Sequence, residues 1–402
     1  MATESLLLQK EKDFFLQILT DHLNKRATAV PDNLNWYVLE KTGQEQQLNG
    51  IIYHQCKNSI AQSDLPVEAK KKWKQGCFYN IFLYSKRLAL LNQIDVEFQK
   101  ENIQYLIFKG TEAAIFYPAP AQRTMGDLDL LVHPEDKQRA CEALVSLGFK
   151  IIFQTPGEWI IAKNEMVIEL HHRLIYAHSV ELESIQAWGD RVWEYAIAQN
   201  DKMQRKLDLT YHLVYILLHL RKHLLENGVG FRQFMDVAVL AVQPGINWQQ
   251  AEAWLKELNL EKFSQTCFAF CKRWFNIQIP ICRLELDEEF YNNFTEKVFT
   301  GGLFGSNDKA NKENTIFNKM HYAKSSGSRI SVFLRHAFLP YEEMRALPYC
   351  YFLNGRLYLL PVAWCWRFIY KIGTGSLVPL LKGAYGNETI KKKEDMLSKW
   401  GL

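Results

Sequence analysis

Two carboxylates, Asp127 and Asp129, stand two residues apart in Gly-Asp-Leu-Asp-Leu-Leu-Val, a segment otherwise written as a buried strand. Strand alternation puts both on one face, roughly 7 Å apart, while Leu128 and Leu130 face the other way into a core. Burying two carboxylates side by side is costly. A divalent cation held between them relieves that cost, and oxygen ligands suit magnesium. Upstream, Lys109-Gly110-Thr111 ends an apolar strand running from Tyr105 to Phe108 and opens a short helix from Glu112 to Phe116. The free N–H groups of a helix N-terminus favour phosphate. Gly110 lets the backbone approach such a group closely, and Lys109 can either meet it as a point charge or snorkel to water. Arg123, in the polar bridge before Asp127, is either a clamp for phosphate or sugar or an exposed loop arginine.

Further along, Val167-Ile168-Glu169-Leu170-His171 alternates so that Glu169 and His171 share the face opposite Ile168 and Leu170. Glu165, four residues earlier, falls on the same face and competes with Glu169. His171 is expected either to orient a phosphate or to hydrogen-bond beside the site. His212, His219 and His223 lie on one helical stripe, since spacings of seven and four both fit the period. No HExxH glutamate accompanies them, so polar contacts around a cleft are expected in preference to a metal. Arg232 and Asp236 would form an i,i+4 pair on a continuous helix. Cys267 and Cys271 are one helical turn apart, but no second cysteine pair follows them.

These groups need a scaffold. Apolar residues recur at helical period through residues 1–100, with an interruption at Pro31-Asp32-Asn33. The lysine run Lys70, Lys71, Lys72 and Lys74 reads as a solvated helix face. After the Asp127 strand, Pro134 and Gly148 bracket an amphipathic helix. Phe149–Phe153, Trp159–Ala162 and Met166–His171 then read as short strands. The pattern predicts an α+β core over 101–175, with no Rossmann or P-loop glycine motif. Helical regions are expected over 1–100 and 176–304, a polar loop or linker over 305–328, and an aromatic, basic helical tail over 329–402, packed back onto the body.

The 402-residue chain, 48% hydrophobic, can bury a large core. Its net charge of +4 is too slight to imply nucleic-acid binding. From Arg356 to Leu402 eight basic and three acidic residues give a local balance of +5. Charged residues interrupt the apolar ones near the N-terminus, unlike a signal peptide, so a cytoplasmic location is expected. The apolar run from Leu357 to Trp366 spans ten residues and contains Pro361, against the roughly 20 a spanning helix needs. Peripheral membrane contact through Trp364, Trp366, Phe368 and Tyr370 is the lesser expectation, since core packing of such aromatics is commoner. Eight scattered cysteines read as reduced core thiols.

A Lys-Gly turn followed by GDLDLLV resembles the nucleotidyltransferase superfamily, and specifically its broad bacterial branch. The resemblance extends through the helix ending LVSLGFK, the ELH strand at Glu169 to His171, Arg232 with Asp236, and LLPVAW at Leu359 to Trp364. Thr111 stands where that superfamily commonly has Ser or Gly. The resemblance implies a mixed sheet core, with Asp127, Asp129 and Glu169 as catalytic metal ligands for Mg²⁺, or Mn²⁺. Glu169 would help hold the metal that activates the acceptor or would act as its base. Lys109, Gly110, Thr111, Arg123 and His171 would line the nucleotide. The implied reaction moves a nucleoside monophosphate from an NTP, ATP being the expected donor, to a hydroxyl of an unidentified small molecule or protein, with release of pyrophosphate. The alternative is a catalytically silent binding module on the same fold.

Overall fold

A computed structural model describes residues 9–155, 157–175, 183–199, 202–226, 228–303, 338–345, 347–353, 355–373 and 395–402. The polar segment expected at 305–328 lies outside the described residues. Helices α1 (Gln9–Leu23), α2 (Trp36–Glu45), α3 (Asn49–Gln62) and α4 (Val67–Lys100) occupy the N-terminal region, as the apolar period predicts. The predicted interruption falls between α1 and α2, where Asn33 takes a left-handed backbone with φ 56°.

Strands β1 (Tyr105–Ile107), β2 (Leu128–Val132), β3 (Lys150–Gln154), β4 (Glu158–Lys163), β5 (Met166–His171), β6 (Ala196–Ala198) and β7 (Gln204–Leu207) build a seven-stranded sheet. Its order is β3-β4-β5-β2-β1-β7-β6. β2 runs antiparallel to β1 and parallel to β5, and β7 joins β1 in parallel. The expected α+β organisation is therefore present. One part of the sequence reading needs correction, because β6 and β7 lie inside the 176–304 segment expected to be helical. The short Gln-Arg-Lys-Leu strand carries too little apolar alternation to announce itself, and it is held by pairing to β1.

Helix α5 (Lys109–Ala114) follows β1, starting three residues before the expected Glu112, so Lys109, Gly110 and Thr111 form its first turn. A 3₁₀ turn at Pro134–Asp136 leads into α6 (Lys137–Ser146), and Gly148 closes it at φ 88° as the cap predicts. Then come α7 (Glu183–Asp190), α8 (Leu209–Glu226), α9 (Phe231–Ala241), α10 (Trp248–Glu257), α11 (Glu261–Phe275) and α12 (Glu288–Gly301).

The two faces of the sheet serve different cores, because side chains alternate along each strand. On one face Ile107, Leu128, Leu130, Ile168 and Leu170 pack with Leu91, Ile94 and Phe98 of α4 and Leu144 of α6. The opposite face contributes Leu106, Phe108 and Leu131 to a larger cluster with α1, α3, α8, α9 and α11. That second face also carries the polar residues of interest. Cys267 and Cys271 are buried, and the Cys271 thiol lies 3.4 Å from the Phe234 carbonyl.

Two further helices, α13 (Tyr341–Arg345) and α14 (Leu360–Gly373), surround a small cluster of Met344, Cys350, Leu353 and Ala363. By contrast, Trp400 joins the large cluster. The described residues between 338 and 373 also form a small cluster of their own.

Candidate active site

Parallel pairing of β2 with β5 sets Asp129 directly beside Glu169 and Leu131 beside His171. The next strand places Ile160 beside Glu169 and Glu158 beside His171. Residues facing each other across neighbouring strands point to the same side, so the register gathers Asp129, Glu169, His171 and Glu158. Their ligand-capable atoms are close: one from each of Asp129, Glu169 and His171 lie within 4.8 Å of one another. Asp127 immediately precedes β2 and is half-buried beside them. Glu165, the competing candidate, sits in the β4–β5 turn, exposed and paired with Lys86. The turn takes it out of strand alternation, and Glu169 is the inward carboxylate.

A cation already sits among these acids. Lys109 has a left-handed backbone, φ 55°, an uncommon conformation for a residue with a Cβ. Its ammonium pairs with Asp129 and lies 3.3 Å from Glu169 Oε2. His171 Nε2 lies 3.3 Å from Asp129 Oδ1 and 3.4 Å from Glu169 Oε2, and its Nδ1 lies 3.5 Å from Glu158. Lys109 was expected to face a phosphate or water, and the structure turns it onto the carboxylates.

The electrostatics follow from this crowding. Burial opposes the Lys109 ammonium, yet Asp129, Tyr215 and Glu169 outweigh it and raise its pKa well above the ordinary lysine value. Burial would raise Asp129, but Lys109 and the hydrogen bond with His171 bring it below the usual range. Glu169 is likewise lowered, burial being outweighed by His171 and Lys109. Asp127 goes up, first through burial and then through the neighbouring Glu169. His171 is raised despite burial by its contacts with Asp129 and Glu169. Nearby carboxylates pushed in opposite directions mark a site built for charge.

A second polar cluster braces the loop that delivers Asp127. Arg123 is buried and forks onto Asp236 of α9, its Nε 2.8 Å from Oδ1 and its terminal nitrogen 2.7 Å from Oδ2. Tyr117 donates to the same Oδ1 at 2.8 Å. The expected Arg232–Asp236 pair is therefore absent. Arg232 instead donates to the Thr124 carbonyl at 2.9 Å and to Gln47. A bidentate arginine satisfies a buried carboxylate better than a single-point contact along one helix, and the chain-distant partner wins. Burial and Arg123 lower Arg232 to about 10. Arg87 of α4 donates to the Gly126 carbonyl at 2.7 Å from the other side.

Gly110 belongs to this brace as well. A Cβ there would fall 2.7 and 2.8 Å from the Arg123 guanidinium nitrogens. The close approach Gly110 permits is to Arg123, a contact the sequence did not suggest. Thr111 is buried, and its hydroxyl has no hydrogen-bond partner.

Helix α8 lies over the cluster. Phe108 stacks edge-on against both His171 and Tyr215, with centroids 5.1 and 5.5 Å apart. His219 and His223 approach each other at 2.9 Å between Nε2 atoms, so one ring must be neutral to accept the proton of the other. Burial first, then surrounding cations, lowers His223 to about 4 and His219 well below its usual value. His212 is buried further along, lowered to about 4 by burial, with Asp236 acting the other way.

A family model described as an uncharacterised nucleotidyltransferase matches residues 32–276, more than half of the chain. The chain belongs to that family. No curated protein and no solved structure matches it. In this member of the family, sequence reasoning passed over Arg87, Tyr117, Glu158 and Tyr215. Arg87 left a signal: it falls on the apolar stripe of α4 with Leu91, Ile94 and Phe98, where an arginine needs a buried acceptor. Asp236 sits similarly among the apolar residues of α9. Glu158 left no signal, because only strand pairing brings it to His171.

Asp129 and Glu169 offer carboxylate oxygens and His171 a nitrogen within 4.8 Å of one another, donors a divalent cation could use, while Asp127 crowds against Glu169 outside that group. The set fits such an ion in chemistry and spacing, provided that the Lys109 ammonium moves aside.

Proposed function

We propose that the protein transfers a nucleoside monophosphate from an NTP, with ATP the leading candidate, to a hydroxyl acceptor. The observation that carries this reading is the register of Asp129 beside Glu169, with Asp127 and His171 adjoining, on a sheet face reached by the Lys109–Thr111 turn. Asp127, Asp129 and Glu169 would hold Mg²⁺ or Mn²⁺, which when bound supplies positive charge against the phosphates and the departing pyrophosphate. His171 orients Asp129 and Glu169 through its contacts with both. Lys109, once released from Asp129, would meet a phosphate. In the reaction the acceptor oxygen bonds to the α-phosphorus and the bond to the β-phosphate oxygen breaks. Pyrophosphate takes the electron pair, and the hydroxyl proton passes to the carboxylate cluster. Arg87 and Arg232 act at a distance from the chemistry by holding the Gly126 and Thr124 carbonyls, and with them the loop entering Asp127.

One observation favours a second reading, a site that binds without turnover. The Lys109 ammonium already offsets part of the charge of Asp129 and Glu169, which would help the site stand without a metal. The deciding experiment supplies protein, Mg²⁺ or Mn²⁺ and each α-labelled NTP to candidate acceptors and lysate. Labelled product with equimolar pyrophosphate, lost in Glu169→Gln while nucleotide binding persists, supports transfer. Tight metal-dependent NTP binding without label in any acceptor pool supports the silent module.

A further inference from the structure

Helix α14 is inverted relative to an ordinary surface helix. Its inward side carries Leu360, Ala363, Trp364 and Arg367, with Ala363 and Arg367 buried and the Trp364 indole donating to the Leu339 carbonyl at 2.8 Å. Its outward side carries Val362, Cys365, Phe368, Ile369 and Ile372, all exposed, and is flanked by Trp366 and Tyr370, which keep exposed surface while the Trp366 indole donates to the Tyr349 carbonyl at 3.1 Å and Tyr370 stacks on the Tyr349 ring. At about 100° per residue, the five outward residues cover an arc of roughly 120°. The described side chains of that arc include no charged group, while the arginine of the helix points inward. Val362 is 56% exposed, Ile369 59% and Ile372 64%, and the preceding turn adds Leu357 and Tyr358 at 63% and 76%. Such a surface is larger and more apolar than isolated exposed residues on a monomer.

Two features say what covers it. Trp366 and Tyr370 are the residue types that settle at a membrane–water boundary. Besides the inward Arg367, the sequence from Leu347 to Asn387 contains Arg356, Lys371 and Lys382 and no acidic residue, a charge balance that attracts anionic headgroups. The 14 residues of α14 extend about 21 Å, short of the roughly 30 Å hydrocarbon core. No helix among the described residues is long and apolar enough to cross a membrane. We propose that residues 357–372 form an interfacial anchor, whose exposed apolar arc lies in the headgroup boundary of an anionic lipid bilayer.

The test is flotation of the full chain with vesicles of phosphatidylcholine alone and of phosphatidylcholine mixed with phosphatidylglycerol. The parent should float with the mixed vesicles, and Val362→Glu with Ile369→Glu should lower its vesicle-bound fraction at least about tenfold. A measurement on the parent fold guards against a variant that fails to fold. Cys365 is the exposed thiol, the other seven being buried or half-buried, and an environment-sensitive fluorophore on it should shift to the blue with anionic vesicles. A parent that stays unbound with both vesicle types overturns the proposal, as does a folded double variant that floats like the parent. So does a dimer in light scattering that the double substitution splits while no vesicle binding occurs, which would assign the face to a second copy of the chain.

Discussion

Two buried ionic clusters lie within one loop of each other and are solved in opposite ways. In the Arg123–Asp236–Tyr117 cluster one guanidinium and one hydroxyl meet one carboxylate, and each carboxylate oxygen has a close partner. In the other cluster Asp129 and Glu169 share a single ammonium and one histidine, and a third carboxylate, Asp127, crowds against Glu169. The first is closed and fixes loop position. The second gathers more negative charge than its neighbours answer. The difference separates a closed brace from a cluster that leaves charge for a ligand to answer, the property expected of a site.

The largest expected effect tests the brace. Arg123→Met leaves Asp236 buried without its partner, and should cost about 3–5 kcal/mol in urea unfolding. Combining it with Asp236→Leu should recover much of that loss. If Arg123→Met is as stable as the parent, the brace is not closed in the sense argued.

The site should behave in the reverse sense. Asp129→Asn and Asp127→Asn should weaken metal-dependent NTP binding by at least about 100-fold in calorimetric titration, with little loss of melting temperature. Relief of carboxylate crowding offsets the lost contacts. A large drop in stability with unchanged binding would make this cluster the structural one. Lys109→Met sharpens the point: with the internal cation gone, metal affinity in the absence of nucleotide should rise, while NTP affinity falls.

Gly110→Ala probes where the clusters touch. The added methyl meets the guanidinium that Asp236 holds in place, so a cost of about 1–3 kcal/mol is expected. Because that shift also moves the loop entering Asp127, nucleotide affinity should fall with stability. Gly110→Ala in an Arg123→Met background should cost less than in the parent, and equal costs would remove the contact from the account.

A smaller effect is carried by pH in metal-free protein. The folded pKa of His171 is raised, so its pairing stabilises fully below the unfolded value and is lost as pH rises through the folded one. Asp129 and Glu169 are lowered, so their contribution is present above the unfolded carboxylate value and lost as pH falls through the folded ones. Asp127, which is raised, opposes the latter pair. Unfolding measured from neutral to mildly alkaline pH should show a decline that His171→Gln abolishes. The smallest effect is at Glu165, where substitution by Gln should leave both binding and melting unchanged, its contact with Lys86 being exposed.

The polar residues were readable to different depths. Alternation alone placed Asp127 and Asp129 opposite Leu128, and Glu169 with His171, because side-chain direction in a strand is a local property of period two. The same rule misplaced Glu165, since it does not say where a strand ends and a turn begins. For Arg232 and Asp236, helical spacing pointed to each other, while the fold supplied Arg123 from a loop 113 residues away.

The sequence by itself determined the α+β order of elements, the helical flanks, the acidic faces of two strands, and the family. Each rests on patterns within a few residues of one another. Only the tertiary structure decided that Glu169 lies beside Asp129, that Lys109 closes onto both, that Arg123 is held by Asp236 and that α14 turns its apolar arc outward. Each of these depends on which distant segment arrives to share or exclude water, and free energies of desolvation and pairing are set by that arrival, not by neighbours along the chain.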